Sequence, residues 1–75
     1  MAKLPRLSGK EVINVLVKIG FISVRQKGSH VFMKKESSES KIATVVPMHK
    51  EIDTGTLLEI IRQCKLTRDE FLELL

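Results

Sequence analysis

The chain has 75 residues, of which 43% are hydrophobic and 29% charged, and its formal net charge is +4. This length allows one domain with a thin core, the single cysteine excludes an internal disulfide, and no apolar run reaches the roughly 18 residues of a membrane span. An unpaired thiol and the lack of an apolar signal peptide in "MAKLPRLSGKE" predict a soluble, cytoplasmic protein with no membrane partner.

The first half is predicted to hold one helix and three strands. Residues 1–7 are expected to be a loose arm, after which Ser8 opens a helix with Glu11 at capping-box spacing. Gly20 is the expected end of this helix. The strands are predicted at "FISVR", "SHVFMKK" and "KIATVVP", with a turn at Lys27-Gly28 and a polar loop at "ESSES". The apolar face of the helix consists of Val12, Val15, Leu16 and Ile19.

The second half is predicted to be helical. One helix runs from about Thr54 to Cys64, and Thr67 and Glu70 give a short terminal helix the same capping-box spacing. The α-β-β-β-α order predicts a single α+β domain over residues 1–75, with a three-stranded antiparallel sheet, both helices packed on one face and a short C-terminal helix. This architecture is that of the double-stranded-RNA-binding domain, although a fold alone does not fix a function.

Positive charge is concentrated in the first half of the chain. Residues 1–35 carry eight Lys or Arg and one acid, whereas residues 36–75 carry five Lys or Arg and eight acids. A basic half indicates a polyanionic partner such as nucleic acid or an acidic protein, and a merely solvated surface is the alternative. Three Phe without Tyr or Trp argue against the multi-aromatic stacking platform of single-strand binders.

Strand pairing predicts where the polar residues meet. If the second and third strands pair across "ESSES", His30 lies opposite Val46, at one end of the sheet. The N-terminus of the second helix, with free N–H groups, is expected nearby. The first hairpin is expected to bring Arg25 and Gln26 beside Ser29 and His30, with Lys27 and Lys50 in adjoining loops and His49 just beyond the end of the third strand.

Two histidines beside cations can support RNA cleavage without a metal. A base removes the ribose 2′-OH proton, an acid protonates the leaving 5′-oxygen, and Lys or Arg offsets the charge on phosphorus. His30, His49, Lys27 and Arg25 can fill these roles, while a structural His30 and a merely exposed His49 are the alternatives.

Metal and thiol chemistry fit the sequence less well. Zinc would need His30, His49, Cys64 and a carboxylate, which lack paired ligand spacing, so no metal and no cofactor are predicted. Cys64 falls on an apolar helix face, where a core residue is favoured over a nucleophile.

Four segments resemble HicA toxins, the small ribonucleases of HicAB toxin–antitoxin systems: "SGKEVINVLVKIGF", "RQKGSH", "VVPMHKEIDTGTL" and "IIRQCKLTRDEF". The resemblance covers about residues 7–71 and implies a double-stranded-RNA-binding-like fold, metal-independent cleavage of mRNA and inhibition by a HicB antitoxin. The "GSH" match places the family's catalytic histidine on His30. Gly28 would then permit the tight backbone, and Ser29 would bond a phosphate or orient the imidazole.

The resemblance also marks two other places in the chain. Val31 and Phe32 follow His30, where the family often has a second histidine or another polar residue. His49 matches a frequently seen histidine of the connection. The predicted function is therefore an mRNA interferase, in which six residues support His30 or bind RNA: Arg25, Lys27, Gly28, Ser29, His49 and Lys50. A non-catalytic double-stranded-RNA-binding module and a protein-interaction domain with an acidic partner remain the alternatives.

Overall fold

Six elements follow one another in the computed structural model, which describes residues 3–75. The three strands form one antiparallel sheet in chain order, with the second strand in the middle. The predicted α+β architecture is thereby confirmed. The elements are α1 (Gly9–Lys18), β1 (Ile22–Lys27), β2 (His30–Glu36), β3 (Lys41–Pro47), α2 (Thr54–Gln63) and α3 (Arg68–Glu73).

Local hydrogen bonds explain where α1 begins and ends. The Ser8 hydroxyl accepts from the Glu11 N–H, and the Glu11 carboxylate accepts from the Ser8 N–H, which is the predicted capping box. At the other end, Gly20 takes φ of 101°, and the N–H groups of Gly20 and Phe21 donate to carbonyls of the last turn. This is a Schellman motif, so Gly20 ends the helix as predicted. A second capping box, from Thr67 and Glu70, starts α3.

Alternation along the strands separates a core face from an open face. Val31 and Met33 on β2 and Thr44 and Val46 on β3 are buried on the face that the helices cover. The Thr44 hydroxyl donates to the Gln63 side chain at 2.7 Å, which satisfies this buried polar group. We call the opposite side of the sheet the open face. The remaining core residues are Leu7, Val12, Val15, Leu16, Phe21, Ile52, Leu57, Ile60, Ile61, Cys64 and Phe71, so Cys64 is a core residue as predicted.

The register of the second hairpin differs from the prediction by one residue. His30 pairs with Pro47, and the prediction that it lies opposite Val46 is wrong. The difference arises because the chain reverses through four residues, 37–40, closed by the Ser37 N–H donating to the Ser40 carbonyl at 2.9 Å. His30 itself lies on the open face because Val31, its neighbour in β2, points into the core.

The first hairpin also reverses later than predicted. β1 continues to Lys27, which is therefore a strand residue and not a loop residue, and Gly28-Ser29 form the turn. A bulge between Ser23 and Arg25 interrupts the pairing of β1 with β2. Gly28 has φ of 60°, the conformation that a two-residue hairpin turn with glycine first requires.

The segment before α1 is joined to the segment before α2. The predicted arm covers residues 1–7, of which 1 and 2 lie outside the described residues. Leu7 is buried and its carbonyl accepts from the Ile52 N–H at 2.7 Å, as an isolated antiparallel bridge. The Leu7–Ile52 bridge therefore joins the segment before α1 to the connection of residues 48–53.

Candidate nucleic-acid interface at one end of the sheet

His30 begins β2 at the end of the sheet where β1 and β3 finish. Lys27 pairs with it from β1, and Pro47 pairs with it from β3. We call these three residues the His30 row. Directly opposed residues on one face have Cβ atoms about 4.5–5.5 Å apart, so the Lys27 side chain is the neighbour of the imidazole. Both side chains are exposed on the open face.

The turn before His30 is held in place by two hydrogen bonds. The Gln26 side-chain amide donates to the Gly28 carbonyl at 3.1 Å, and the Met48 N–H donates to the Ser29 carbonyl at 2.6 Å. A Cβ on Gly28 would meet nothing within 4 Å, so the glycine is needed for its φ and not for space. The Ser29 hydroxyl has no hydrogen-bond partner among residues 3–75, which leaves it available to a ligand.

One step along the strands lies a second row on the open face. Arg25 pairs with Phe32 on β2, and Phe32 pairs with Val45 on β3; we call these the Phe32 row. The Arg25 guanidinium carbon lies 5.0 Å from the centre of the Phe32 ring, a cation–π contact. This contact holds a planar cation beside the His30 row. The predicted placement of Arg25 and Gln26 beside Ser29 and His30 is therefore wrong: Lys27 takes the position opposite His30, and Arg25 lies two residues further along β1.

His49 and Lys50 lie in the connection that leaves the His30 row through Pro47. The His49 carbonyl accepts from the Gly9 N–H at 3.0 Å, which packs the connection against the start of α1. Both side chains are exposed, as predicted for this end of the sheet. No hydrogen bond joins the His49 imidazole to the rest of residues 3–75, so the structure brings it near the His30 row through the backbone alone.

One of the free N–H groups that the sequence predicted at the N-terminus of α2 is satisfied by a side-chain cap. Asp53 caps this helix: one carboxylate oxygen accepts from the Thr56 N–H at 3.0 Å and the other from the Thr56 hydroxyl at 2.7 Å. These bonds from Thr56 hold the pKa of the Asp53 carboxyl below its usual value, and His49 adds a smaller effect in the same direction. An anion at this helix start would meet the Asp53 carboxylate as well as the N–H groups of the first turn that Asp53 does not cap.

The acids near the His30 row are already engaged. Asp53 caps α2, and Glu51 forms an ion pair with Arg6 at 3.6 Å. The cations of the row are free of such pairing, because neither Arg25 nor Lys27 forms an ion pair with an acid among residues 3–75. The end of the sheet therefore presents net positive charge to an anionic ligand.

Sequence reasoning did not assign Phe32 to the site. The period-two alternation of β2, which buries Val31 and Met33, also places Phe32 on the same face as His30 and was the available signal. A cavity of about 520 Å³ near this part of the sheet is not confined to the open face, because its lining includes Met33, Thr44 and Gln63 of the helix-covered side as well as Arg25 and Phe32.

Comparison with known proteins indicates one family. Residues 9–66 match the model of a family described as the HicA toxin of bacterial toxin–antitoxin systems. A search of curated proteins found no match. Within residues 3–75, no helix has the length and apolar character needed to cross a membrane. The same residues contain no group of three or more His, Cys, Asp or Glu placed to hold a metal ion.

Proposed function

Because the chain belongs to the HicA family of bacterial toxin–antitoxin toxins, we propose that it is an mRNA interferase, a metal-independent endoribonuclease with His30 as its catalytic residue. The observation that carries the proposal is the His30 row, where an exposed imidazole stands beside Lys27 at the end of the sheet. Histidine is the side chain best suited to move a proton near neutral pH.

The proposed reaction is an attack within the RNA strand. The ribose 2′-oxygen forms a bond to the adjacent phosphorus as it loses its proton, and the bond from phosphorus to the 5′-oxygen breaks as that oxygen gains one. His30 carries one of these two proton transfers, and His49 is the candidate for the other. Lys27 and Arg25 stabilise the additional negative charge on the phosphate oxygens. The Ser29 hydroxyl and Lys50 hold the flanking phosphates, and no step requires a metal ion.

The toxin's partner is proposed to be a HicB-like antitoxin that covers the His30 row. A family of toxin–antitoxin toxins implies an antitoxin, and a cationic sheet end suits a protein surface that carries acids. Covering His30 would remove it from RNA and solvent together. Binding of duplex RNA without cleavage is less well supported, because the first turn of α2 carries no cation and its cap is the Asp53 carboxylate.

The test compares wild type with His30→Ala in cells and with purified protein. We expect His30→Ala to abolish growth arrest on induced expression and to slow RNA cleavage by about 10²- to 10⁴-fold, the usual loss for one general acid or base. Lys41→Gln, at the far end of the sheet, is the matched surface control. Circular dichroism checks that the variants fold, and cleavage is measured in excess EDTA with analysis of the product ends.

Two outcomes would refute the assignment. A folded His30→Ala protein that cleaves at the wild-type rate would remove His30 from the chemistry. A requirement for added divalent metal, with 5′-phosphate products in place of a 2′,3′-cyclic phosphate, would exclude the proposed mechanism.

A further inference from the structure

We propose that the Phe32 row is a binding site for one unpaired nucleobase of the RNA, stacked on the Arg25–Phe32 pair next to the bond that is cut. The inference rests on the proposed ribonuclease function and adds a base site to it. The proposal begins from Phe32, whose ring stands on the open face of the sheet beside His30.

Phe32 is not used by the core. Of the three phenylalanines, Phe21 and Phe71 are 2% and 0% exposed within the core, whereas Phe32 is only half-buried and lies outside the core cluster. An aromatic ring on the uncovered face of a sheet contributes little to packing there. A single ring cannot form a platform for several bases, but it is sufficient for one.

Arg25 completes a flat surface over this ring. Its guanidinium lies 5.0 Å from the ring centre, and a guanidinium plane stacks on bases as well as on aromatic side chains. Val45 pairs with Phe32 on the β3 side, and the outer face of the guanidinium is the surface left for the base.

The spacing of the two rows suits a nucleotide. Residues two apart in a strand are separated by about 6.6 Å, so a base on the Phe32 row has its own ribose and phosphate beside the His30 row. Lys27 and the N–H edge of Arg25 then face phosphate, while the guanidinium plane over the Phe32 ring faces the base. A paired base cannot reach this ring, since stacking on a side chain requires a base splayed out of its helix.

The experiment uses a short RNA in which one cut bond has been mapped. Two substrates are compared: the intact RNA, and the same RNA with the base beside that bond removed but its ribose 2′-OH retained. Three proteins are compared: wild type, Phe32→Leu and Arg25→Lys. Phe32→Leu keeps an apolar side chain without the aromatic ring, and Arg25→Lys keeps the positive charge without the planar guanidinium. Lys41→Gln controls for surface changes elsewhere, and thermal melting confirms folding.

We expect loss of the base to lower kcat/KM for wild type by about 5- to 150-fold, the range of one base–aromatic stack. Phe32→Leu should lose a similar factor on intact RNA and cleave the base-free RNA no more slowly than wild type does. Arg25→Lys should also lose activity on intact RNA and lose less on the base-free substrate. Lys41→Gln should behave as wild type.

The outcomes separate this inference from the proposed function. If cleavage depends on His30 but wild type cuts both RNAs equally, or Phe32→Leu cuts intact RNA at the wild-type rate, the base site is wrong and the ribonuclease stands. A Phe32→Leu protein with full activity that no longer co-purifies with a co-expressed antitoxin would assign this surface to protein and overturn the base site. If wild type cuts no RNA, both proposals fail.

Discussion

At the scale of single residues, Lys65 occupies a position that favours glycine. It has φ of 62°, and its N–H and that of Leu66 donate to carbonyls of the last turn of α2. This is the arrangement that Gly20 provides after α1, but here an L side chain carries the left-handed conformation. We expect Lys65→Gly to raise the free energy of unfolding by about 1 kcal/mol in urea titrations. Lys65→Ala should give no such gain, and equal stabilisation by both changes would contradict the explanation.

Cys64 gives a second prediction at this scale. Burial raises the pKa of its thiol from 9.0 to about 11, because the folded core disfavours the thiolate. The unfolded chain therefore releases this proton at lower pH than the folded one, so the stability from the neutral thiol should fall as pH rises from about 9 to about 11. Other groups titrate there, so the measurement is the stability difference between wild type and Cys64→Ala. A difference that does not change with pH would refute the assignment.

At the scale of elements, the start of α1 depends on a close approach of two backbones. A Cβ on Gly9 would lie 2.9 Å from the Met48 Cα and closer still to the Pro47 carbonyl oxygen. Gly9→Ala should therefore separate α1 from the connection that carries His49 and destabilise the fold by about 1–3 kcal/mol, as overpacking does. Gly55→Ala, in the first turn of α2, is the matched control because its nearest contact is 3.4 Å. Equal stability of the two variants in thermal melts would show that the backbones of α1 and the connection can move apart without loss of stability.

The elements also show what local sequence can and cannot predict. Ser8 with Glu11, Thr67 with Glu70, and Gly20 predicted helix ends correctly, because caps depend on residues within one turn. The Asp53 cap was missed, although Thr56 three residues later was visible. The second hairpin was placed one residue out of register, because a polar run of serines and glutamates does not state how many residues the reversal needs.

The positions of the candidate site residues depend on the register of the first hairpin. Hairpin pairing was expected to bring Arg25 and Gln26 beside Ser29 and His30, but the later reversal puts Lys27 opposite His30 and Arg25 opposite Phe32. The contact of Arg25 with Phe32, and the approach of Gly9 to the connection, depend on which surfaces the sheet and helices present to each other. Such contacts between distant segments are not encoded in any short window of sequence.

At the scale of the whole molecule, charge placement predicts how the antitoxin binds. If a HicB-like protein with acidic residues covers the His30 row, Arg25→Glu or Lys27→Glu should weaken the complex mainly by slowing association. Added salt should slow wild-type association as well, because screening shortens the reach of the charges. Stopped-flow mixing at several salt concentrations measures both effects, with Lys41→Glu as the control on the same sheet. A complex structure that leaves His30 open to solvent would contradict direct occlusion.

The backbone hydrogen bonds of the connection, residues 48–53, bear on when a newly made chain of this toxin family finishes folding. Met48 bonds to Ser29, His49 to Gly9 and Ile52 to Leu7, so the three hydrogen bonds join segments far apart in the chain. Contacts between distant segments form late in folding, since they must close long loops first. A growing chain on the ribosome can form the β1–β2 hairpin with His30 in it, yet the connection that carries His49 and Lys50 is not held in place until Ile52 has emerged. If the proposed ribonuclease activity needs this connection in place, synthesis delays that activity and gives an antitoxin made alongside time to meet a newly finished toxin.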